Sequence, residues 1–275
     1  MAINKAVTNL FILSPPKTGS TSLFFDLIQH PQILGCSVKE PHFFLENDIT
    51  QDKIESYNKL FNGSNKYRLE ASTNYLHNDI AIANIKQFCL DDLKFIIILR
   101  NPVDRLISEY IHKRSIFLIL QNEEVHQKFR SEMDWVESWD KQINTKSGRG
   151  EKRNLELIIK NHKENNKYAH YFEIGNYYAH INRLYDNFDK NNIEIILYDT
   201  FKDNNQYVLS SICKFLDISN FDFEFKDVNK ADYWLKYVQC KEEIEPSHIE
   251  YIKNFYAESN TKLANLLNIE LDWNR

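Results

Sequence analysis

The stretch of sequence that most constrains the fold runs over residues 10–27, LFILSPPKTGSTSLFFDL. Its apolar start predicts a short buried strand, and Leu23, Phe24 and Leu27 then recur at helical spacing. A strand that turns sharply into a helix directs unpaired backbone N–H groups, and the positive end of the helix dipole, at one point. The turn therefore predicts an anion-binding loop, and a nucleotide phosphate is the anion that fits it best.

Each residue type in this turn has a use in binding an anion. Gly19 lets the backbone approach a ligand closely, and Lys17 supplies a positive charge. In a P-loop NTPase the lysine follows the second glycine, G-x-x-x-x-G-K-[ST], whereas Lys17 precedes the single glycine here. We therefore expect a relative of the NTPase loop, although this stretch alone leaves an ordinary helix-capping turn open. The residues assigned to the loop are Lys17, Thr18, Gly19, Ser20, Thr21 and Ser22.

Apolar runs and helical patterns alternate along the chain. Strands are predicted at residues 10–13, 33–38, 67–69, 95–99 and 193–198. Helices are predicted at 21–29, 52–61 and 79–88, from Pro102 onward, and at 175–188, 208–216 and 247–267. This alternation predicts an α/β fold: a single domain over residues 1–275 with a central, mostly parallel β-sheet flanked by helices. Ligands of such sheets lie beyond the carboxyl ends of the strands, so the residues just after each strand are expected to meet.

Two charged residues follow predicted strands. Glu40 comes after the second strand, in KEPHFF, where a carboxylate among aromatic rings is a candidate general base. Taken alone, it is better interpreted as a surface glutamate before a proline turn. Arg100 ends the fourth strand, and Asn101-Pro102 is a typical helix start. The Arg100 guanidinium is therefore expected to be open to a phosphate.

The next helix carries two further candidates. Ser108 and His112 are four residues apart and share one helix face. Ser108 suits a second phosphate, and His112 would reach the reacting group, although alone it is better interpreted as an exposed helix histidine. In the turn after the third strand, Ser72 or Asn74 is expected to have a capping role.

Composition limits the partners of the chain. A net charge of −5 disfavours nucleic acid, and no apolar run reaches the length of a membrane span. The N-terminal residues lack the pattern of a secretory signal, and the four cysteines are scattered without metal-ligand spacing, as is typical of thiols in a reducing compartment. We expect a cytoplasmic protein with no metal; contact with a membrane surface stays open. The cysteines are Cys36, Cys89, Cys213 and Cys240.

Residues 118–167 are less regular. They contain Trp135 and Trp139, a run of basic residues, and Ser147-Gly148-Arg149-Gly150. These features predict a mobile loop on the acceptor side or, alternatively, a solvated helix face.

Four separated segments together resemble the sulfotransferases that use PAPS, 3′-phosphoadenosine 5′-phosphosulfate. PKTGSTS at 16–22 resembles their 5′-phosphosulfate loop, and LRNP at 99–102 with Ser108 resembles their 3′-phosphate motif. EPHFF at 40–44 is similar to the E-x-x-F-F segment of the carbohydrate branch, the heparan sulfate N- and 3-O-sulfotransferases. SEYIHKR at 108–114 is similar to S-x-Y-x-H-x-R of the N-sulfotransferase domain, and the resemblance extends weakly over most of the chain.

The resemblance implies a P-loop NTPase-like sulfotransferase fold and transfer of a sulfuryl group from PAPS to a hydroxyl or amine, with a carbohydrate or glycolipid as the expected acceptor. The turn would hold the 5′-phosphosulfate, and Arg100 and Ser108 the 3′-phosphate of the donor. Glu40 would be the base, Lys17 would stabilise the leaving phosphate oxygen, and His112 would be a second acid/base or a sulfuryl contact. The product would be PAP, 3′-phosphoadenosine 5′-phosphate, and no metal is implied, since a sulfuryl group carries less charge than a phosphoryl group.

The chain departs from that pattern in three places. Ala71 stands where the heparan enzymes have a lysine, and their C-terminal cysteine pair is reduced to Cys240. Their glycine-rich basic loop has no clear match, and the lysines that could substitute for it are Lys226, Lys230, Lys236 and Lys241. These departures bear on the acceptor more than on the donor.

Three alternatives stay open. A nucleotide kinase of the P-loop type is disfavoured by the position of Lys17 and by the lack of an evident magnesium-binding carboxylate after a strand. A non-catalytic module could bind a nucleotide or an anionic glycan through the basic run. The third alternative is a small-molecule sulfotransferase. Its usual base is a histidine, so the presence of Glu40 disfavours this alternative.

Overall fold

The computed structural model describes residues 5–131, 151–225, 235–241 and 244–274. These residues form two compact units. The first, which we call the sheet unit, comprises the described residues of 5–101, 176–225 and 262–270. The second, the helical unit, comprises 102–131, 151–175, 235–241, 244–261 and 271–274.

The sheet unit is built on five parallel strands in the order β2-β3-β1-β4-β5. The strands are β1 (Leu10–Ile12), β2 (Ile33–Gly35), β3 (Tyr67–Glu70), β4 (Lys94–Leu99) and β5 (Ile193–Leu197). Each lies where the sequence predicts a strand, and the predicted α/β fold with a central parallel sheet is confirmed. After β1 the chain runs to β2 on one side of the sheet, and after β4 it runs to β5 on the other side. The loops that follow β1 and β4 therefore diverge at the carboxyl edge, which is where doubly wound sheets bind ligands.

The helices follow the predicted order, with ends that differ by a few residues. Thr50 and Asn78 cap the helices that begin after them, because their side-chain oxygens accept from the N–H of Lys53 and Ala81. In chain order the described helices are α1 (Ser20–Leu27), α2 (Gln51–Asn58), α3 (Asp79–Phe88), α4 (Pro102–Gln121), α5 (Glu123–Ser131), α6 (Leu155–Asn165), α7 (Ala169–Glu173), α8 (Tyr177–Asn187), α9 (Tyr198–Asp203), α10 (Asn205–Phe215) and α11 (Pro246–Leu267).

The core of the sheet unit fixes helix α1 against the central strands. Leu10 and Ile12 of β1 are buried in one cluster with Leu23 and Leu27 of α1 and with Ile96 of β4. Burial of each such aliphatic side chain stabilises the fold by about 1.5–3 kcal/mol. Because α1 packs directly behind β1, its N-terminus is held at the carboxyl edge of the sheet.

The helical unit contains regular helices where the sequence predicted an irregular region. Helix α6 begins after Asn154, whose side chain accepts from the N–H of Leu157. Its apolar face, Leu155, Ile158 and Ile159, recurs at helical spacing and is buried. Parts of 118–167 are therefore helical, at α5 and α6, and a mobile loop on the acceptor side stays a prediction. The predicted mobile segment at 147–150, with Trp135 and Trp139, lies outside the described residues.

A buried ion network joins successive turns of α4. The Glu109 carboxylate pairs with Arg105 and Lys113, four residues away on either side, and Arg105 is completely buried. Arg105 also donates to the carbonyl of Tyr171, with Nη2 2.6 Å from the oxygen. The network therefore ties α4 to α7 inside the helical unit.

Two observations concern the predicted scattered thiols and the predicted lack of a membrane span. Cys36, Cys89, Cys213 and Cys240 are buried as free thiols. Across the part of the chain that the structure describes, no helix has both the length and the apolar character of a membrane span.

The stability of the protein towards acid should depend on Glu109. Burial alone would raise the pKa of Glu109, but the charges of Arg105 and Lys113 outweigh it and hold that pKa at about 2. A carboxyl whose pKa is lower in the folded state stabilises the fold above its unfolded pKa, and this contribution is lost as the pH falls through its folded pKa. We expect Glu109→Gln to lower the free energy of unfolding at neutral pH by about 3 kcal/mol and to flatten the loss of stability on acidification.

Denaturant unfolding at neutral and acidic pH measures both effects. The matched control is Glu250→Gln, which changes an exposed glutamate of α11 and should leave both quantities close to those of the unmodified protein. A Glu109→Gln protein with unchanged stability at neutral pH would contradict the stabilising role of the network.

Candidate active site

The loop between β1 and α1 is fastened to β4 at its start. The N–H of Leu13 donates to the carbonyl of Ile96 at 3.0 Å, and the N–H of Ile98 donates to Ser14 Oγ at 2.8 Å. Thr18 is buried, and its hydroxyl donates to the carbonyl of Pro15 at 2.8 Å. The hydroxyl hydrogen of Thr18 therefore closes the turn, and the outer part of the loop has a defined shape.

Two residues of the loop have left-handed backbone conformations. Lys17 has φ of 70° and Gly19 has φ of 92°. The N–H of Leu23 donates to the carbonyl of Gly19, which opens the hydrogen-bond ladder of α1. The N–H groups of residues 20–22 precede that ladder, so they point beyond the positive end of the helix. The loop thus has the donors and the dipole direction of an anion cradle.

Arg100, at the end of β4, contacts this loop directly. Its Nη1 donates to the carbonyl of Lys17 at 3.2 Å, and the side chain is half-buried. The structure therefore brings together two residues, Lys17 and Arg100, that are far apart in the sequence and follow neighbouring strands. A guanidinium has five N–H donors and this contact uses one of them, so the group keeps donors for a phosphate.

Tyr198 is a member of this site that sequence reasoning missed. A Cβ atom added to Gly19 would lie 3.2 Å from Tyr198 Cε2, and the Arg100 guanidinium lies 4.7 Å from the centre of the same ring. The ring therefore supports both the glycine turn and the arginine. The sequence could have pointed to Tyr198, because it directly follows β5. Residues just after parallel strands lie at the carboxyl edge of the sheet, which is the rule that predicted the position of Arg100.

Glu40 lies in the segment after β2 and is held by three side chains. Its Oε1 accepts from Lys39 Nζ at 2.7 Å, and its Oε2 accepts from Thr73 Oγ1 at 3.2 Å and lies 3.6 Å from His42 Nε2. Burial lowers the pKa of His42, with Glu40 opposing this and Lys39 reinforcing it, so Lys39 is the cation beside the carboxylate. Because Thr73 follows β3, the contact fixes Glu40 near the end of the strand adjacent to β1.

Glu70, the last residue of β3, is a buried carboxyl that sequence reasoning did not single out. It accepts hydrogen bonds from Ser72, Tyr57 and Tyr75 at 2.6, 2.8 and 3.3 Å. Burial raises the pKa of Glu70 to about 7 although these bonds act to lower it. The predicted capping role of Ser72 or Asn74 is wrong, because Asn78 caps α3 and the Ser72 hydroxyl donates to Glu70.

The remaining predicted site residues lie in the helical unit or outside the described chain. Ser108 is buried and His112 is half-buried on α4, where their spacing puts them on one face. Of the C-terminal lysines, Lys226 and Lys230 lie outside the described residues, whereas Lys236 lies 5.3 Å from the Tyr237 ring. Within the described ranges, no group of three or more His, Cys, Asp or Glu side chains is placed to hold a metal ion.

Charged groups thus gather at the carboxyl edge of the parallel sheet, where Arg100 after β4 contacts the loop after β1 and the Glu40 carboxylate after β2 accepts from Thr73 after β3. Residues 7–264 match the family model described as Sulfotransferase domain. The chain belongs to the sulfotransferase family.

Two relatives show how far the similarity extends. The chain is 25% identical to the membrane-associated sulfotransferase kil1 of Dictyostelium discoideum, over 96% of this chain and 66% of the relative. It is 27% identical to the bifunctional heparan sulfate N-deacetylase/N-sulfotransferase 1 of Caenorhabditis briggsae, over 80% of this chain and 24% of that protein. The chain thus matches just under two thirds of the length of the first relative and about a quarter of the length of the second.

Solved structures agree with the fold. A sulfotransferase from Alicyclobacillus acidocaldarius superposes with a TM-score of 0.65 and 27% identity, covering 98% of this chain and all of that one. Mouse SULT7A1, a sulfotransferase solved with PAP, shares the fold with a TM-score of 0.56 and 15% identity, covering 97% of this chain and 89% of that one.

Gly19 should be required for ligand binding by the loop. Any side chain at this residue meets both a left-handed φ of 92° and the Tyr198 ring, so Gly19→Ala must distort the turn. We expect a loss of about 1–2 kcal/mol in stability and at least a tenfold loss of PAP affinity. Calorimetric titration with PAP and thermal unfolding measure the two effects.

The control is Ala83→Gly, a substitution on the exposed face of α3. It should cost about 1 kcal/mol of stability and leave PAP affinity unchanged. Equal losses of affinity in the two variants would mean that stability, and not the shape of the loop, controls binding.

Proposed function

We propose that this chain transfers a sulfuryl group from PAPS to a hydroxyl or amine of a carbohydrate or glycolipid acceptor. The observation that carries the proposal is the contact between Arg100 and the loop of Lys17, which joins two anion-binding elements at one edge of the sheet. Family membership supports sulfuryl transfer. The presence of PAP in the solved mouse relative supports PAPS as donor and PAP as product.

Each anionic group of the donor has a proposed partner. The 5′-phosphosulfate is bound by the loop of residues 17–22 through backbone N–H groups, hydroxyls and the Lys17 ammonium. The 3′-phosphate is bound by Arg100 and Ser108. The Tyr198 ring keeps the Arg100 guanidinium in place, since the cation lies over its face.

The proposed reaction is an in-line displacement. The acceptor oxygen or nitrogen forms a bond to sulfur while the bond from sulfur to the 5′-phosphate oxygen of the donor breaks. Glu40 takes the proton of the acceptor, and Lys17 stabilises the negative charge that develops on the leaving phosphate oxygen. His112 is a second acid/base or a contact to a sulfuryl oxygen. Positioning and neutralisation of charge supply most of the catalysis in transfers of this kind.

The surroundings of Glu40 support an acceptor with polar or anionic groups. Lys39 bonds one oxygen of Glu40 and retains ammonium hydrogens for a second partner, and His42 lies on the other side of the carboxylate. Relatives of this chain include heparan sulfate enzymes, and another relative is membrane-associated. A sugar, a glycolipid headgroup or another small acceptor fits these observations.

The observations disfavour the two other classes of function. A nucleotide kinase needs the lysine that follows the second glycine, and the family of this chain is that of sulfotransferases. A module that only binds would have no use for a carboxylate held in a fixed position by Lys39 and Thr73.

Recognition of the 3′-phosphate should depend on Arg100. We expect the protein to bind PAP much more tightly than ADP, and Arg100→Ala to lower PAP affinity about ten- to a hundredfold while changing ADP affinity little. The matched control is Lys86→Ala, which removes a positive charge from the exposed end of α3 that leads into β4. Titration calorimetry with both nucleotides measures the difference, and equal losses for PAP and ADP would assign Arg100 to the 5′-phosphate.

Transfer itself should require the Glu40 carboxylate. With ³⁵S-labelled PAPS and a panel of sugars, glycolipids and alcohols, we expect label to enter at least one sugar-bearing acceptor. Glu40→Gln should lower turnover at least a hundredfold and leave PAP affinity within about twofold, because the amide cannot take a proton. The control is Glu46→Gln, six residues away, which changes a half-buried glutamate paired with Lys53.

The outcomes of this assay separate the alternatives. Full turnover by Glu40→Gln would contradict its role as base, and labelling of simple alcohols alone would favour a small-molecule sulfotransferase. Tight binding of PAP without transfer to any acceptor would favour a binding module.

A further inference from the structure

The segment that carries Glu40 has a strained backbone. Glu40 has φ of 60° and His42 has φ of 55°, and neither residue is glycine. Residues other than glycine adopt this left-handed conformation only when surrounding contacts hold them there. The contacts of this segment therefore determine where the Glu40 carboxylate lies.

Two hydroxyl groups hold the backbone of the segment. The N–H of His42 donates to Ser72 Oγ at 3.2 Å, and the N–H of Phe44 donates to the Tyr75 hydroxyl at 3.1 Å. In both bonds the hydroxyl oxygen is the acceptor, so its own hydrogen must point elsewhere.

Both hydroxyl hydrogens point to Glu70. Ser72 donates to Glu70 Oε1 and Tyr75 donates to Glu70 Oε2, and the Tyr57 hydroxyl also donates to Oε2. An ionised carboxylate accepts hydrogen bonds and donates none. Its charge therefore turns the hydroxyl hydrogens of Ser72 and Tyr75 inward and leaves their oxygens to accept from the segment.

We propose that Glu70 is the positioning residue for Glu40. Through the hydroxyls of Ser72 and Tyr75, the Glu70 carboxylate holds the strained segment in the conformation that presents the Glu40 carboxylate. This inference rests on the proposed role of Glu40 as the base. Glu70 contacts the segment only through other side chains and has no part in the transfer itself.

The ionisation of Glu70 sets the direction of these hydrogen bonds. A protonated Glu70 carries a hydrogen of its own, so one of the three hydroxyl groups must give up its bond or reverse. Burial raises the pKa of Glu70 to about 7, so this change falls near neutral pH. The titratable groups that face Glu70 are Tyr57 on α2, Tyr75 after β3, Cys36 after β2, Cys89 after α3, and Glu40.

Among the buried groups of this cluster, Glu70 is the one whose charge changes near neutral pH. Burial raises the pKa of Tyr57, Tyr75 and Cys89 and raises that of Cys36 to about 11, so all four stay neutral near pH 7. We therefore expect turnover to fall as Glu70 becomes protonated on acidification, and Glu70→Gln to lack this step in its pH profile.

Amide hydrogen exchange of the segment tests the inference without relying on activity. In Glu70→Gln we expect the amides of His42 and Phe44 to exchange at least about tenfold faster, because their acceptors lose their fixed orientation. The matched control is Glu194→Gln, which changes a half-buried carboxyl of β5 whose pKa burial also raises. It should leave these two amides unchanged.

Kinetics give the second readout. Glu70→Gln should lower kcat about ten- to a hundredfold and leave PAP affinity within about twofold. In the Glu40→Gln background it should lower turnover no further, because a residue that acts through Glu40 has no effect once the carboxylate is gone. If Glu70→Gln does not fold, Tyr75→Phe serves instead, since it removes the acceptor of the Phe44 N–H and keeps the ring.

Different results would contradict the inference on Glu70 and the proposed role of Glu40. Unchanged exchange at His42 and Phe44 in the folded variant overturns the inference, whatever Glu40 does. The inference is also overturned if the double variant loses kcat by the product of the two single losses, since the two residues would then act independently. Full turnover by Glu40→Gln instead contradicts the proposed base and leaves the exchange result to decide the role of Glu70.

Discussion

The hydrogen bond between the Arg100 guanidinium and the carbonyl of Lys17 is the contact on which the site depends. It forms because β1 and β4 are parallel neighbours in register, with Ile12 opposite Ile96, so the residues that follow both strands reach the same edge. The carbonyl that accepts this bond belongs to a residue with a left-handed backbone. The turn and the arginine therefore support one another, and neither has its observed conformation without the other strand.

Local signals in the sequence account for most of the fold. The five strands are short apolar runs, and the helices between them begin after capping residues such as Thr50 and Asn78. The local sequence of each strand or helix is therefore enough to predict it. The convergence of Lys17 and Arg100 could also be predicted, because it needs only the rule that parallel strands end at one edge. Tyr198 satisfied the same rule and was overlooked. For 118–167 the sequence left a solvated helix face and a mobile loop open, because polar residues dominate the exposed faces of the helices there.

The contacts around Glu40 could not be predicted in this way. The Glu40 carboxylate meets Thr73, from the segment between β3 and α3, and the neighbouring Glu70 meets Tyr57 of α2. These side chains come together only after the sheet has formed. Ser72 illustrates the difficulty. Its sequence surroundings are those of a helix cap, in which the hydroxyl oxygen accepts from a nearby backbone N–H. In the folded chain that oxygen accepts from the N–H of His42 at 3.2 Å, and the hydroxyl donates to Glu70 at 2.6 Å. Which groups a hydroxyl meets is decided by distance in three dimensions, which the order of residues does not contain.

Two buried glutamates of this chain show why burial alone does not define the state of a carboxyl. Burial acts to raise the pKa of both, yet that of Glu70 is about 7 and that of Glu109 is about 2. The difference lies in the partners: Glu109 faces two cations, whereas hydroxyl groups alone donate to Glu70 among its described hydrogen-bond partners. In a medium of low polarity, a cation stabilises the negative charge of a carboxylate more strongly than a neutral donor does. A carboxyl bound only by hydroxyls is therefore held near the point at which it changes state, and it can transmit that change to the backbone that those hydroxyls bind.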